Sequence, residues 1–226
     1  MYKRSYMSIT IDQPSLNSKL SEAKEKFQST APAETVRHFT AFIDDLKSSN
    51  IPGKALAVGR KAPDFSLPNA LGVKVTLSRL LEDGPVIITW YRGGWCPYCN
   101  LQLNHLQQFL ADFKMAGASL VAITPETPDM SLTTQEKHSI LFEVLTDSTN
   151  TVAHLYGGVH HLPREIKASY ADRNVFDHYP SELDELPVPA TYLIDKMGIV
   201  RYRFVNPDYR KRSEPAELLA ALQELS

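Results

Sequence analysis

Hydrophobic and polar positions along this chain fall into two regimes. Up to about Asn50 the apolar residues recur at helical spacing: Leu16, Leu20, Ala23 and Phe27 form one stripe, and Val36, Phe39, Ile43 and Leu46 a second. Thr30-Ala31-Pro32 breaks the first stripe, and Ser48-Ser49-Asn50 with Pro52-Gly53 ends the second. The pattern predicts a helical hairpin, an N-terminal extension over residues 1–56. Each stripe is narrow enough to be satisfied by packing on the rest of the chain; the alternative is part of a homodimer contact.

From residue 57 to 226 the pattern is that of an α/β domain. Leu67 and Leu71-Gly72-Val73-Lys74-Val75 alternate about a glycine and predict a hairpin, and Ser78 is placed to cap a short helix through Leu81. Val86-Ile87-Ile88-Thr89-Trp90-Tyr91 carries no charge and predicts a central strand covered on both faces. Leu103, Leu106, Leu110 and Phe113 then fall at helical spacing, and Ala118 to Thr124 reads as another buried strand. Strand, helix, strand at this separation is a βαβ unit with parallel strands. Further on, Glu136 to Ile140 predicts a short helix, Leu141 to Leu145 a strand, and Asp147 or Ser148 the cap of a helix ending near Tyr156. Thr191 to Asp195 and Ile199 to Val205 predict a hairpin, and Ser213 caps a last helix carrying Leu218, Leu222 and Leu225. Residues 160–186 have no clear period; a connection of that length holds short helices or serves as a flap over a site.

The chemistry stands between the first strand and its helix, at Trp95-Cys96-Pro97-Tyr98-Cys99. Gly93-Gly94 allows a tight turn, and Pro97 suits the first helical turn, where its missing N–H costs nothing. A helix start presents unpaired N–H groups and the positive dipole end, which favour a thiolate on Cys96. A second sulfur three residues on is near enough to close a small disulfide. One cysteine can attack and the other resolve, if the pair is accessible. Half a zinc site is the competing reading of C-x-x-C, but the chain has two cysteines in all, and His160-His161 is adjacent rather than spaced for joint ligation. No metal and no cofactor are expected.

Composition narrows this little further. The 226 residues are 43% hydrophobic and 22% charged with net charge −2, which offers no electrostatic footprint for nucleic acid or an anionic membrane. No run approaches a transmembrane length, and the start through Met7 has basic residues without an apolar segment behind them. The expectation is a cytoplasmic redox protein.

From about Gly59 onward the chain resembles the peroxiredoxin-like group of alkyl hydroperoxide reductase and thiol-specific antioxidant proteins. The residues carrying the likeness are Ala62-Pro63-Asp64-Phe65-Ser66-Leu67, the stretch from Trp90 to Cys99, Val144-Leu145-Thr146-Asp147, and Tyr192-Leu193-Ile194-Asp195 with Gly198. The resemblance implies a thioredoxin-like fold, a central mixed sheet flanked by helices, with an N-terminal β-hairpin. It also implies hydroperoxide as substrate and thioredoxin or glutathione as reductant. Cys-Pro-Tyr-Cys is in addition similar to the glutaredoxin tetrapeptide.

The departures from the family pattern matter. Its Pro-x-x-x-Thr-x-x-Cys motif lays the attacking cysteine on Cys99, the threonine on Cys96 and the proline on Arg92, while its distant arginine falls on Pro189. Arg92 is then the candidate positive charge beside the sulfurs, an exposed strand-end arginine being the alternative. Val188-Pro189-Ala190-Thr191 resembles the cis-proline loop of thioredoxins, which faces the cysteines and implies a cis bond at Pro189 and a supporting place for Thr191; an ordinary trans proline at a strand start is the alternative. Trp90 stands where thioredoxins carry a buried acid. Trp95 and Tyr98 are expected to shape the mouth of the site. His160, His161 and His178 are expected at the surface, a flap that brings them towards the sulfurs being the alternative, and Asp208, Tyr209 and Arg212 in a cap or ion pair. Three readings follow: a thiol peroxidase, with Cys99 attacking by family position or Cys96 by the dipole argument; a disulfide-exchange enzyme acting on disulfide substrates, Cys96 attacking; and a redox-sensing module.

Overall fold

The computed structural model describes residues 14–180 and 183–225. The reading of the first seven residues lies outside them. The two predicted stripes become α1 (Leu16–Thr30) and α2 (Ala33–Ser48), followed by a single turn α3 (Ile51–Lys54). No helix among the described residues is long and apolar enough to cross a membrane.

The hairpin forms as β1 (Ser66–Pro68) against β2 (Lys74–Thr76), antiparallel. The helix after it, α4 (Leu77–Asp83), is not capped by Ser78; Asp64 Oδ1 accepts from Ser78 N–H at 2.9 Å instead. Then come β3 (Val86–Trp90), α5 (Pro97–Gln108), α6 (Leu110–Met115) and β4 (Ser119–Thr124). β3 and β4 are parallel, with Ile87 opposite Leu120 and Trp90 opposite Ile123, as the βαβ reading requires. The next helix is longer and earlier than its apolar residues suggest: α7 (Pro128–His138) starts on the proline. β5 (Glu143–Thr146) and α8 (Thr151–Leu155) follow, and Asp147 Oδ2 accepts from Val152 and Ala153 N–H at 2.9 and 3.0 Å, as its capping role predicts.

The aperiodic connection holds β6 (Val159–His161), α9 (Arg164–Ala171) and a 3-10 turn at Val175–His178, and returns through β7 (Glu185–Pro187), which pairs with β6. The predicted last hairpin is β8 (Ala190–Ile194) with β9 (Val200–Val205), antiparallel. The final helix is α10 (Pro215–Gln223). Ser213 does not cap it; its hydroxyl lies 2.8 Å from that of Tyr202. Glu214 stands at the cap position, and its carboxylate accepts from Asn17 N–H at 2.7 Å, joining the start of α1 to the start of α10.

The central sheet has the order β5-β4-β3-β8-β9, mixed in direction. Because alternate residues of a strand face opposite ways, β3 divides the core. Ile87 joins α1, α2, α5, α6, α9 and α10 on one face, and Val86, Ile88 and Trp90 join the hairpin side and α8 on the other. Leu103 of α5 is fully buried in the first cluster. Leu103→Ala is expected to lower stability by about 2–5 kcal/mol, the usual cost of the lost apolar contact plus its cavity, read as a fall in the urea midpoint without a change in slope.

The structure corrects one backbone expectation. No peptide bond among the described residues is cis, so Pro189 follows Val188 through a trans bond. β7 is still laddered to β6 at Pro187, and Val188 N–H donates to Gly158 C=O at 2.7 Å. The chain therefore enters β8 extended from a neighbouring ladder, not through the tight turn that a cis proline makes.

Candidate active site

The site begins where β3 runs out. Tyr91 N–H still donates to Ile123 C=O at 3.0 Å, and the chain then turns through Gly93 and Gly94. Both glycines are required by close approach. A Cβ on Gly93 would stand 2.8 Å from Glu126 Oε1, and one on Gly94 would stand 2.1 Å from Thr134 Oγ1. The loop is held by Glu126, fully buried, whose two oxygens each lie 3.0 Å from Gly94 N. Cys96 then takes the N-cap position of α5, with Pro97 at the first turn. α5 is pinned to the sheet one turn past Cys99, where Gln102 Nε2 donates to Thr89 and Thr191 Oγ1 at 3.1 and 3.2 Å.

Two guanidinium groups meet the two sulfurs. Arg92 Nη2 lies 3.1 Å from Cys96 Sγ, and its Nη1 donates to the Tyr170 hydroxyl at 2.8 Å. The same guanidinium sits 3.8 Å over the Tyr209 ring and 4.9 Å over Trp95. Arg212 Nη2 lies 3.3 Å from Cys99 Sγ. Arg92 is 3% exposed and Arg212 2%. The exposed strand-end alternative for Arg92 is thus set aside: the turn at Gly93-Gly94 folds its side chain under α9 and the segment after β9. These contacts are desolvated, so each charge acts on its sulfur with little screening.

The electrostatic result is asymmetric. Burial alone would push the Cys96 thiol up. The hydrogen bond from the Cys99 thiol and the charges of Arg92 and Arg212 outweigh it and hold Cys96 well below the ordinary thiol range. For Cys99, burial and the neighbouring Cys96 sulfur act in the same direction and hold the thiol well above that range. Burial also works against the Arg92 charge, but the Cys96 sulfur keeps it protonated. The pair therefore favours its negative charge on Cys96 and its proton on Cys99.

Other predicted site residues sort plainly. Trp95 does wall the site: its Nε1 donates to the Tyr179 hydroxyl at 2.7 Å, which donates in turn to Arg92 C=O at 2.7 Å. Tyr98 is buried edge-on to Tyr209, ring centroids 6.1 Å apart. Thr191 is buried in β8, bonded to Thr89 and Gln102 rather than to a sulfur. Pro189 is buried beside it in the chain. Among the described residues the side chains that bond the sulfurs are Arg92, Arg212 and the cysteines themselves.

Three expectations need correction. The sulfurs are not open: both cysteines have no exposure. Phe39 of α2 packs on Tyr170, and Phe42 packs on His160 and Tyr209, so the N-terminal helices and the aperiodic connection roof the pair together. The wall is cationic and aromatic rather than purely apolar, and Pro97, next to Cys96, is exposed. His160 is not at the surface but 5% exposed against Phe42; burial and then the Arg92 charge push its pKa down to about 3, so it is neutral. His178 reaches inward, its Nδ1 2.8 Å from Glu126 Oε1, while His161 is the exposed one. Finally, Arg212 and Tyr209 belong to the sulfur site; Asp208 alone makes the expected ion pair, with Arg210 at 2.8 Å.

Sequence reasoning missed Tyr170, Tyr179 and Glu126 altogether. The only signal was the run of tyrosines in a connection suspected of being a flap. No cluster of metal-ligating side chains occurs among the described residues.

Residues 58–203 match the sequence model of the AhpC/TSA family. The chain is 27% identical over 181 residues to a chloroplastic peroxiredoxin Q of Sedum lineare, covering 80% of this chain and 84% of that one. It is 26% identical over 167 residues to its counterpart in Oryza sativa subsp. japonica, covering 74% and 67%. In structure it is similar to peroxidoxin BcpB from Mycobacterium tuberculosis, with TM-score 0.60 at 23% identity over 76% of this chain and 99% of that one. A peroxiredoxin 6 mutant of Arenicola marina gives TM-score 0.62 at 17% identity, over 75% and 73%. The matched family model, the thioredoxin-like sheet and the paired cysteines at its strand-to-helix turn agree: the chain belongs to the AhpC/TSA family of thiol-dependent peroxidases.

Proposed function

We propose that the chain reduces hydroperoxides with Cys96 as the attacking sulfur and Cys99 as the resolving one, the reverse of the order that alignment to the family motif implies. The observation that carries this is the Arg92 guanidinium 3.1 Å from Cys96 Sγ, in a site closed to water. The Cys96 thiolate attacks the terminal oxygen of the hydroperoxide, the O–O bond breaks, and the alkoxide leaves as alcohol after taking a proton. Cys96 is then a sulfenic acid. Cys99 attacks its sulfur, the S–O bond breaks, and water leaves after one more protonation, giving the Cys96–Cys99 disulfide. An external dithiol such as thioredoxin, or two equivalents of glutathione, returns the pair to the reduced state.

The enclosure favours a small oxidant over a disulfide substrate. Disulfide exchange needs three sulfurs nearly in line, so the attacking sulfur must admit a bulky partner. Neither Cys96 nor Cys99 presents any surface for that in the closed, reduced form; re-reduction by an external thiol therefore requires the roof of α2 and α9 to open over the disulfide. A hydroperoxide needs only passage for its terminal oxygens past Trp95, Tyr98 and the exposed Pro97.

Rapid mixing of the reduced protein with hydrogen peroxide, an organic hydroperoxide and a glutathione mixed disulfide, each alone, tests the reading. The expected result is fast consumption of one peroxide per chain with formation of one intramolecular disulfide by mass, and slow reaction with the mixed disulfide. Fast reaction with the mixed disulfide and none with either peroxide would reverse the assignment to an exchange enzyme.

A further inference from the structure

The described structure places two buried guanidinium groups against a single resting thiolate, and among the described residues neither Arg92 nor Arg212 forms an ion pair with a carboxylate. Burying a cation is costly unless an anion or good acceptors compensate it. Arg92 has the Cys96 thiolate. Arg212 has the carbonyls of Tyr209 and Lys211 on Nη1, and on Nη2 only the Cys99 sulfur, which carries no charge at rest. With the pair's charge favoured on Cys96, Arg212 has no anionic partner of its own among the described residues.

Arg212 also lies beyond residue 203, where the match to the family ends. The segment between β9 and α10 therefore brings in a guanidinium of its own, clamped by two backbone carbonyls and 2% exposed. Both the clamp and the burial fix it on Cys99 rather than leaving it as a surface cation.

Resting on the peroxidase reading above, we infer that Arg212 is a positioning residue for the resolving step, holding the Cys99 sulfur and receiving its negative charge once Cys96 has been oxidised. Cys96–S⁻, Cys99–SH and ROOH first give Cys96–SOH, Cys99–S⁻ and ROH, the Cys99 proton passing to the departing alkoxide. Cys99–S⁻ then attacks the Cys96 sulfur, the S–O bond breaks, and hydroxide leaves to be protonated by solvent. The two sulfurs are oxidised by one electron each, and the peroxide bond takes both. The resting arrangement favours this hand-over: the Cys99 thiol is held protonated by burial and by the Cys96 thiolate beside it. Oxidising Cys96 to a neutral sulfenic acid removes that second cause and leaves Arg212 and Arg92 facing Cys99.

The test is a two-phase oxidation followed by tryptophan fluorescence and by mass after trapping with dimedone, which caps sulfenic acid. In the Arg212→Gln variant the disulfide-forming phase is expected to slow by about tenfold or more, the scale of a lost charge-assisted hydrogen bond. Cys96 sulfenic acid should accumulate as its dimedone adduct, and the pH profile of that phase should move to higher pH. The first phase should slow by a smaller factor. Arg212→Lys, which keeps the charge but not the fork, should fall between the two, and it carries the same readouts if the glutamine variant does not fold. Disulfide formation as fast as in the parent with an unchanged pH profile would overturn the inference. So would an equal loss in both phases without a pH shift, which is the mark of a merely structural arginine. If the unsubstituted protein never oxidises Cys96, the peroxidase reading itself fails, and that result is distinct from both.

Discussion

Cys96→Ser is expected to bring peroxide consumption down to the uncatalysed background, a loss on the order of 10⁴-fold or more when an enzyme's nucleophile is removed. Cys99→Ser should instead consume one peroxide per chain and stop, with Cys96 left as sulfenic acid. The asymmetry follows from the charges around the two sulfurs. Cys96 carries the resting thiolate, held by the Cys99 thiol and by Arg92 and Arg212 against the opposing effect of burial. Cys99 is a thiol, kept so by burial and by that same thiolate. In Cys96→Ser burial, the larger cause, still holds Cys99 protonated, and no departing alkoxide forms to take its proton, so Cys99 stays a poor nucleophile towards peroxide. Peroxide consumption that survives Cys96→Ser and disappears in Cys99→Ser would put the attacker at the position the family motif gives. Unchanged rates in both variants would sink the peroxidase and the exchange readings together, leaving the redox-sensing module.

How much of this was legible beforehand depends on whether a residue's place is set locally. The uncharged run from Val86 to Tyr91, the Gly93-Gly94 turn and Pro97 after Cys96 are neighbours in sequence, and each fixes the next. The strand, the turn and the N-cap cysteine could therefore be read directly. The parallel pairing of β3 with β4 followed from the length of the helix between them. The guanidinium on Cys99 could not be read in that way, because Arg212 is 113 positions away on a segment with no period. Periodicity reports which side chains are apolar and face a core; it treats charged ones as surface. Arg92, Arg212, Glu126 and His160 are among the exceptions to that rule in the described residues, each buried. Their burial is visible only once α2, α9 and the tail after β9 are packed over the sulfurs. The expectation of open cysteines failed for the same reason: the roof comes from elements remote in sequence.

Arg92→Met is expected to slow the oxidation of Cys96 at neutral pH by about 10- to 100-fold, since a hydrogen bond to a charged group in such a site is worth about 1.5–3 kcal/mol. Methionine keeps the unbranched stem packed between Trp95 and Tyr209 while removing the charge. The pH dependence separates this from a loss of packing. In the parent, the rate should hold below the ordinary thiol range and fall only further towards acid, where the depressed thiol takes a proton. In the variant, burial still pushes the thiol up and the largest nearby charge is gone, so the rate should fall already as pH drops from alkaline values. Stability gives a weaker signal, and its sign differs for the two sulfurs. The depressed Cys96 contributes stability that is present above the unfolded thiol value of about 8.5 and is lost as pH falls through its folded value. The raised Cys99 contributes below about 8.5 and loses its share as pH rises towards its own folded value. The two effects act at opposite ends, so the thiolate's ultraviolet absorbance, titrated alongside the oxidation rate, is the cleaner measure. Superimposable profiles for parent and Arg92→Met would mean that Arg92 does not hold the Cys96 charge, and the assignment of Cys96 as attacker would lose its main support.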